Sequence, residues 1–213
     1  MKQEDTKRVI ADKALELFSE RGYEAVSVGE IAKAVGIKAP SLYNHYPSKQ
    51  AIFEAIVEQT AERYDRDTSK SNVHVSDGKK DVATFEKITE EDLIKKVREM
   101  FYYSLHDEKI AMFRKMMTME QFRSCELASL YTERFVDRLV RYHSEIFRGL
   151  IKVGVLKDED PLTLALAYVS PIITLIGVCD REPKKENECL ERLDSHVALF
   201  FRSYNIDKVK SEK

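Results

Sequence analysis

Apolar residues recur at spacings of three and four along most of the chain, which is the pattern of amphipathic α-helices. The pattern predicts a first helix from Val9 that ends at Gly22, because glycine readily adopts the left-handed conformation that closes a helix. No segment shows the alternation of polar and apolar residues that is typical of a half-buried β-strand. We therefore expect an all-α protein of about nine helices.

Local signals near the N-terminus predict two short helices joined by a tight turn. Ser27 and Glu30 have the spacing of a capping box, so the second helix should begin at Val28. Gly36 permits a tight turn, and Pro40 suits the first turn of a third helix that runs to about Tyr46. Two short helices packed on a preceding one are typical of a helix-turn-helix, whose second helix enters the DNA major groove.

The third helix carries the candidate DNA-contacting face. If Leu42 and Tyr46 face the core, a rotation of about 100° per residue turns the side chains between them outward. Their hydroxyl and amide groups can bond base edges or phosphates, and the helix N-termini at Ser27 and Lys49 favour anions. The candidate DNA-binding residues are Ser27, Lys38, Ala39, Pro40, Ser41, Tyr43, Asn44, His45 and Lys49.

The rest of the chain predicts a larger helical domain. Residues 65–87 lack periodicity and are rich in Ser, Asp, Gly and Lys, which indicates a flexible loop, and ordered helix should resume at Thr89. Asp107 and Asp160 are candidate N-caps, and one long helix should extend from about Leu127 to Gly154. We therefore expect a three-helix DNA-binding domain over residues 1–48 and a larger helical domain over residues 49–213.

Composition narrows the class of protein. With 43% hydrophobic and 34% charged residues, the chain is typical of a soluble helical protein. Its formal charge of -2 gives no global attraction to nucleic acid, so DNA binding must depend on local lysines such as Lys33 and Lys38. Three cysteines without CxxC spacing and an N-terminus without an apolar signal core predict a reduced, cytoplasmic protein.

One segment, Leu162 to Cys179, has no charged residue, and its 18 residues reach the lower limit for a membrane span. Thr163, Ser170 and Pro171 within it, and the lack of flanking basic anchors, argue against a span. We expect instead a helix buried on several sides, either in a core or between subunits, and no membrane partner.

No catalytic, nucleotide-binding or metal-binding motif occurs, so we expect no enzyme, no metal site and no cofactor. Polar or half-polar groups near the predicted buried faces are candidates for orienting a small ligand. The methionines around Met117 are suited to an adaptable pocket, although methionine at helical spacing is more often plain core. The candidate ligand-binding residues are Tyr102, His106, Met117, Gln121, Tyr142, His143 and Tyr168.

The stretch Ser27 to Lys49 closely resembles the signature of the TetR/AcrR family of bacterial regulators. Its Ile-Ala pair corresponds to Ile31-Ala32, its Gly-Val/Ile pair to Gly36-Ile37, and its Leu-Tyr-x-His/Tyr-Phe-x-x-Lys run to residues 42–49. Tyr46 replaces the usual Phe of this run. Residues 14–27 also resemble the family, so the likeness covers about fifty residues. Gly29 departs from members that place a base-contacting side chain there, so we expect little base readout from helix two.

The resemblance implies a homodimer, a ligand pocket in the C-terminal helices, and a change in the spacing of the DNA-binding domains when an effector binds. We expect dimerisation through helices near residues 161–180 and 187–204, operator DNA as partner, and an unidentified small-molecule effector. A repressor released by its effector is the leading hypothesis.

Two alternatives stay open from the residues alone. The first is a regulator that acts without an effector, which the absence of a cavity within residues 90–180 would favour. The second is an all-helical enzyme or interaction module with a vestigial helix-turn-helix, which predicts no salt-dependent DNA binding.

Overall fold

In the computed structural model, residues 3–206 are described, and every regular element among them is helical. A single isolated antiparallel bridge joins Leu156 and Asn205. The all-α prediction is confirmed. The helices are α1 (Gln3–Arg21), α2 (Val28–Val35), α3 (Ala39–Tyr43), α4 (Lys49–Ser69), α5 (Val82–Glu86), α6 (Glu90–His106), α7 (Glu108–Glu120), α8 (Cys125–Thr132), α9 (Arg138–Lys152), α10 (Pro161–Arg181) and α11 (Glu186–Tyr204).

The helix boundaries follow the capping signals in the sequence. α1 ends before Gly22, which has a φ of 83°. The side chain of Asp107 accepts a hydrogen bond from the Ile110 amide at the start of α7. Asp160 accepts one from the Thr163 amide at the start of α10, where Pro161 occupies the first turn. These predicted helix starts are confirmed.

The prediction of a flexible loop over residues 65–87 is wrong. α4 continues to Ser69, and a 3-10 turn at Gly78–Asp81 leads into α5. Asp81 is buried and accepts hydrogen bonds from the His74 amide at 2.7 Å and the Tyr142 hydroxyl at 2.6 Å. Contacts with α9 therefore order a segment that has no helical periodicity of its own.

The long helix predicted to end at Gly154 is interrupted by a π-helical turn at Glu133–Asp137. The interruption separates α8 from α9. Together with α5, it explains why the described residues form eleven α-helical segments where about nine were expected. Gly154 has a φ of 80° and follows the C-terminus of α9, as predicted.

The chain forms two compact units. Unit 1 contains residues 1–64 and 107–131, and unit 2 contains residues 65–106 and 132–213, with residues 1–2 and 207–213 outside the described part. Unit 1 therefore includes α7 and α8 in addition to the helix-turn-helix. The predicted functional boundary after residue 48 stays a prediction, because compactness does not show which residues bind DNA.

Each unit has its own core. In unit 1, Phe18, Ile31 and Leu42 are fully buried with Met116 and Met117 of α7. In unit 2, Phe101 of α6 packs with Cys179 and Cys189 in one cluster that also contains Leu193. The three cysteines are free, and Cys125 is exposed. The core of unit 2 thus joins α6, α10 and α11.

α10 is long and apolar enough to cross a membrane by length and composition, and 28% of its most apolar window is buried. Its inner face packs in the core through Leu164, Tyr168 and Val169. Leu162 and Leu166 lie on its outer face and are 57% and 51% exposed. Within the described residues, α10 is therefore covered on one side, and its burial between subunits stays a prediction.

Candidate nucleic-acid interface

The residues from which the turn between α2 and α3 was predicted also stabilise it. The Ser27 hydroxyl accepts a hydrogen bond from the Glu30 amide at 3.2 Å, and the Glu30 carboxylate accepts one from the Ser27 amide at 2.8 Å. Gly36 adopts the left-handed conformation, with a φ of 78°, and ends α2. The predicted capping box and tight turn are confirmed, and they determine where α3 begins.

Hydrogen bonds from Ser27, and then from Arg21, lower the pKa of the Glu30 carboxyl group to about 2. The Arg21 guanidinium lies 2.8 Å from the carboxylate. Glu30 is therefore ionised at neutral pH, where its charge also interacts favourably with the positive N-terminal end of α2.

α3 presents the two faces that the sequence predicts. Leu42 is fully buried, and Tyr46, just beyond the helix, is buried and donates a hydrogen bond through its hydroxyl to the Lys7 carbonyl. The side chains expected to face outward are exposed at Pro40, Ser41, Tyr43 and Asn44 and half-buried at Ala39 and His45. These residues lie together on one surface, and their contact with DNA stays a prediction.

α3 is shorter than predicted, because it ends at Tyr43 and the chain continues through a turn to Tyr46. Asn44 and His45 lie in that turn. The Nδ1 atom of His45 is buried and has no hydrogen-bond partner among the described residues. Only the outer edge of the His45 ring therefore remains available to DNA.

Lys33 and Lys38 supply positive charge beside α3. Both side chains are exposed, and within the described part of the chain neither forms an ion pair. Lys38 is the N-cap residue of α3 and makes no side-chain capping hydrogen bond. Its ammonium group is thus free to approach a DNA phosphate.

Lys49 has a different environment from the one expected. Its ammonium group donates hydrogen bonds to the carbonyls of Tyr23, at 2.9 Å, and Val26, at 3.2 Å. The same group lies 4.2 Å from the centre of the Tyr23 ring. The predicted phosphate contact of Lys49 stays a prediction, but these contacts give its side chain a structural role in joining α4 to the loop before α2.

Sequence reasoning did not identify Glu120, whose side chain is fully buried at the end of α7. Its carboxylate accepts a hydrogen bond from the Tyr23 amide at 3.0 Å and pairs with Arg123. Tyr23 therefore connects Glu120 of α7 to Lys49 of α4. No local signal marks Glu120, because its partner lies 97 residues away in the chain.

The residues predicted to bind a ligand are divided between the two units. Met117 is in the core of unit 1, where Gln121 at the end of α7 donates a hydrogen bond to the Thr118 carbonyl. Tyr102 is exposed in unit 2, and His106 next to it is paired with Glu186. The role of these four residues in ligand binding stays a prediction.

Tyr142, His143 and Tyr168 lie close together inside unit 2. The ring centres of His143 and Tyr168 are 5.1 Å apart, and those of Tyr142 and His143 are 4.9 Å apart. His143 and Tyr168 line a cavity of about 40 Å³ between α9, α10 and α11. The Tyr142 hydroxyl instead donates a hydrogen bond to Asp81. His143 and Tyr168 of the predicted set thus line this cavity together.

The family model for bacterial regulatory proteins of the TetR type matches residues 10–56, which include the whole of α2 and α3. The match spans 47 of the 213 residues, so it shows a likeness to this family over the N-terminal part of the chain. Residues 10–56 begin within α1 and end within α4. The family match therefore covers the helix-turn-helix and not the helices of unit 2.

Curated relatives that are HTH-type transcriptional regulators match over a short part of the chain. The chain is 40% identical over 53 residues to the HTH-type transcriptional repressor ComR of Escherichia coli K12. It is 50% identical over 48 residues to IcaR of Staphylococcus aureus, the negative transcriptional regulator of the biofilm operon icaADBC. The matches span 25% and 26% of the lengths of these two relatives.

Solved structures match over nearly the whole chain. A protein of Mesorhizobium loti assigned to the TetR-family transcriptional regulators has a TM-score of 0.72 and 19% identity, covering 97% of this chain and all of that one. A complex of SmeT with triclosan has a TM-score of 0.71 and 17% identity, covering 96% of this chain and 94% of SmeT. SmeT represses the Stenotrophomonas maltophilia efflux pump SmeDEF. At these identities the likeness shows a shared fold.

Proposed function

We propose that this protein is a cytoplasmic, homodimeric transcription regulator that binds operator DNA through α3 and represses transcription until a small molecule releases it. The observation that supports this most directly is the exposed face of α3. That face combines hydrogen-bonding groups at Ser41 and Asn44 with the aromatic ring of Tyr43, which is 53% exposed. Residues 1–48 form the DNA-binding part in this proposal.

The chemistry of the face suits a DNA groove. The Asn44 amide can hydrogen-bond a base edge, and the Tyr43 hydroxyl can reach a phosphate. Unpaired lysines at positions 33 and 38 supply the local positive charge that the acidic chain as a whole lacks. The phosphate contacts would set affinity, and the contacts made by α3 would set sequence preference.

Homodimerisation is supported by the outer faces of α10 and α11. Leu162 and Leu166 of α10 and Leu199 of α11 are each more than half exposed, although they lie on apolar or amphipathic helices of the core of unit 2. Pairing these two helices with those of a second copy would form a four-helix bundle and bury all three leucines.

An effector can release DNA only if it has different affinities for the DNA-binding and the released arrangements. Two recognition helices of a dimer must lie about 34 to 36 Å apart, or a multiple of that distance, to enter grooves on one DNA face. α4 runs along the chain from unit 1 into unit 2, so a shift of α4 would change that spacing.

The test is a binding titration of the protein with its own upstream DNA and with unrelated DNA of equal length, followed by fluorescence anisotropy. We expect tighter binding of the upstream DNA and a loss of this preference in the double variant Tyr43→Ala, Asn44→Ala. The exposed variant Glu58→Ala on α4 is the matched control. Equal binding of both DNAs by the wild type would contradict the proposal.

A further inference from the structure

The cavity of unit 2 combines an aromatic wall with three residues that carry polar groups, His143, Tyr168 and Asn205. Phe85, Phe147 and Phe200 lie on its wall, together with His143 and Tyr168. The ring centres of Phe147 and Phe200 are 5.4 Å apart, and those of Tyr168 and Phe200 are 4.8 Å apart. No Lys, Arg, Asp or Glu among the described residues lines the cavity.

The hydrogen bonding of His143 determines which of its ring nitrogens carries the proton. Nδ1 lies 2.8 Å from the Leu139 carbonyl oxygen, which can only accept, so Nδ1 must be the donor. Burial lowers the pKa of His143 to about 4, so the ring is neutral at pH 7. Its Nε2 atom therefore carries a lone pair and can only accept a hydrogen bond.

The Tyr168 hydroxyl is the second polar group. Tyr168 is buried, with 3% of its surface exposed. Its hydroxyl forms no hydrogen bond within the described part of the chain. Burial raises the pKa of this hydroxyl, so it stays protonated at neutral pH. A polar group of a bound molecule can therefore form a hydrogen bond with this hydroxyl.

We propose that this cavity is the effector site and that it binds a small, uncharged, aromatic or alkyl molecule that donates a hydroxyl hydrogen bond to Nε2 of His143. The inference rests on the proposed function only in taking the bound molecule to be the effector that releases DNA. An anion or a cation would lose its hydration without meeting an opposite charge, so the cavity disfavours charged molecules. A hydroxyl group of the bound molecule would donate a hydrogen bond to Nε2 of His143 and lie near the Tyr168 hydroxyl.

The size of the cavity limits which molecules can enter it. Its volume of about 40 Å³ is smaller than the about 150 Å³ that holds benzene in an engineered protein cavity. A phenol-sized molecule can therefore enter only if lining rings rotate aside. Phe85 belongs to the short helix α5 and is only partly buried, so its ring can move at the least cost.

The test uses calorimetric titration of the full chain, without DNA, with four small aromatic probes: phenol, toluene, benzoate and benzylammonium. We expect phenol to bind about tenfold more tightly than toluene, which corresponds to one hydrogen bond, and the two charged probes not to bind. No binding of phenol, or equal binding of phenol and toluene, would overturn the proposal.

Two variants assign the selectivity to residues. His143→Leu removes the acceptor at similar volume and should abolish the preference for phenol while leaving toluene binding unchanged. His106→Leu, at a histidine that does not line the cavity, is the matched control and should behave as wild type. Tyr168→Phe keeps the ring and should weaken phenol binding without affecting toluene, which tests the site independently if His143→Leu fails to fold.

Failure of this inference is distinguishable from failure of the proposed function. The calorimetric titration contains no DNA, so phenol can bind selectively even if the chain does not recognise an operator. Conversely, if the chain prefers its upstream DNA but phenol and toluene bind equally, the regulatory proposal stands and the assignment of this cavity is wrong.

Discussion

Two lysines that flank α3 differ in what their ammonium groups contact. Lys49 bonds the carbonyls of Tyr23 and Val26, whereas Lys38 is exposed and unpaired. We expect Lys49→Ala to lower the free energy of unfolding by about 2 kcal/mol, because it removes two charged hydrogen bonds and a cation–π contact. Urea unfolding measures this difference.

Lys38→Ala is the matched variant for DNA binding. We expect it to change the free energy of unfolding by less than about 0.5 kcal/mol and to make the slope of log affinity against log salt concentration shallower by about 1. If Lys38→Ala destabilises the fold as much as Lys49→Ala does, the roles assigned to the two lysines are wrong.

Glu30 provides a pH-dependent test of the capping box. Its folded-state pKa of about 2 lies below its ordinary value of 4.5, so its charge stabilises the fold above about pH 4.5. This contribution is lost as the pH falls towards 2. We expect the stability difference between wild type and Glu30→Gln, measured by urea unfolding at pH 6, 5, 4 and 3, to shrink as the pH falls. A stability difference that does not change with pH would contradict the stabilising role assigned to the Glu30 charge.

At the scale of the element, the two glycines of α2 and its turn should respond to alanine in opposite ways. Gly36 has a φ of 78°, and nothing lies within 4 Å of a Cβ atom placed there. Its replacement by alanine therefore costs backbone strain alone, about 1 to 2 kcal/mol. Gly29→Ala should instead stabilise α2 by about 0.5 kcal/mol or less, because alanine loses less backbone entropy than glycine and Gly29 lies in the first turn of the helix.

Thermal unfolding of both variants checks this prediction. A Cβ atom at Gly29 would lie 3.8 Å from the Ser27 hydroxyl oxygen, which is ordinary contact, so no clash obscures the gain. Similar melting temperatures for Gly36→Ala and Gly29→Ala would show that the turn does not depend on the left-handed conformation.

Local signals sufficed to predict the helix-turn-helix. Ser27, Glu30 and Gly36 act on backbone groups within a few residues of themselves, so their spacing determines α2 and its turn. The inward direction of Leu42 follows from helix geometry alone. This is why the exposed and buried faces of α3 were predictable.

Contacts between distant parts of the chain were not predictable. α5 is held against α9, where a Cβ atom at Gly149 would lie 2.5 Å from Val82. The Gly78 amide donates a hydrogen bond to Glu145, 67 residues away. Such partners leave no periodic pattern in residues 65–87. For the same reason, the spacing around α3 did not reveal that Lys49 bonds backbone carbonyls.

At the scale of the whole molecule, the central expectation is a dimer formed by α10 and α11. We expect Leu166→Glu to dissociate the dimer, because it would place a charge in an apolar interface core. Val153→Glu is the matched control, because Val153 is also exposed, at 52%, but lies after α9. Sedimentation velocity should give a monomer for the first variant and a dimer for the second.

The same variants connect dimerisation to DNA binding. A monomer contacts one half-site, so Leu166→Glu should bind the upstream DNA much more weakly than Val153→Glu does. If Leu166→Glu sediments as wild type does, the interface lies elsewhere.

Hydroxyl-radical footprinting on the DNA upstream of the protein's own gene tests the central claim most directly. A dimer that reads DNA with two copies of α3 predicts two protected patches on one face of the duplex. Their centres should lie about 10 to 10.5 base pairs apart, or a multiple of that spacing. The double variant Tyr43→Ala, Asn44→Ala should lose both patches. No protection by the wild type, or protection that survives in the double variant, would contradict the account.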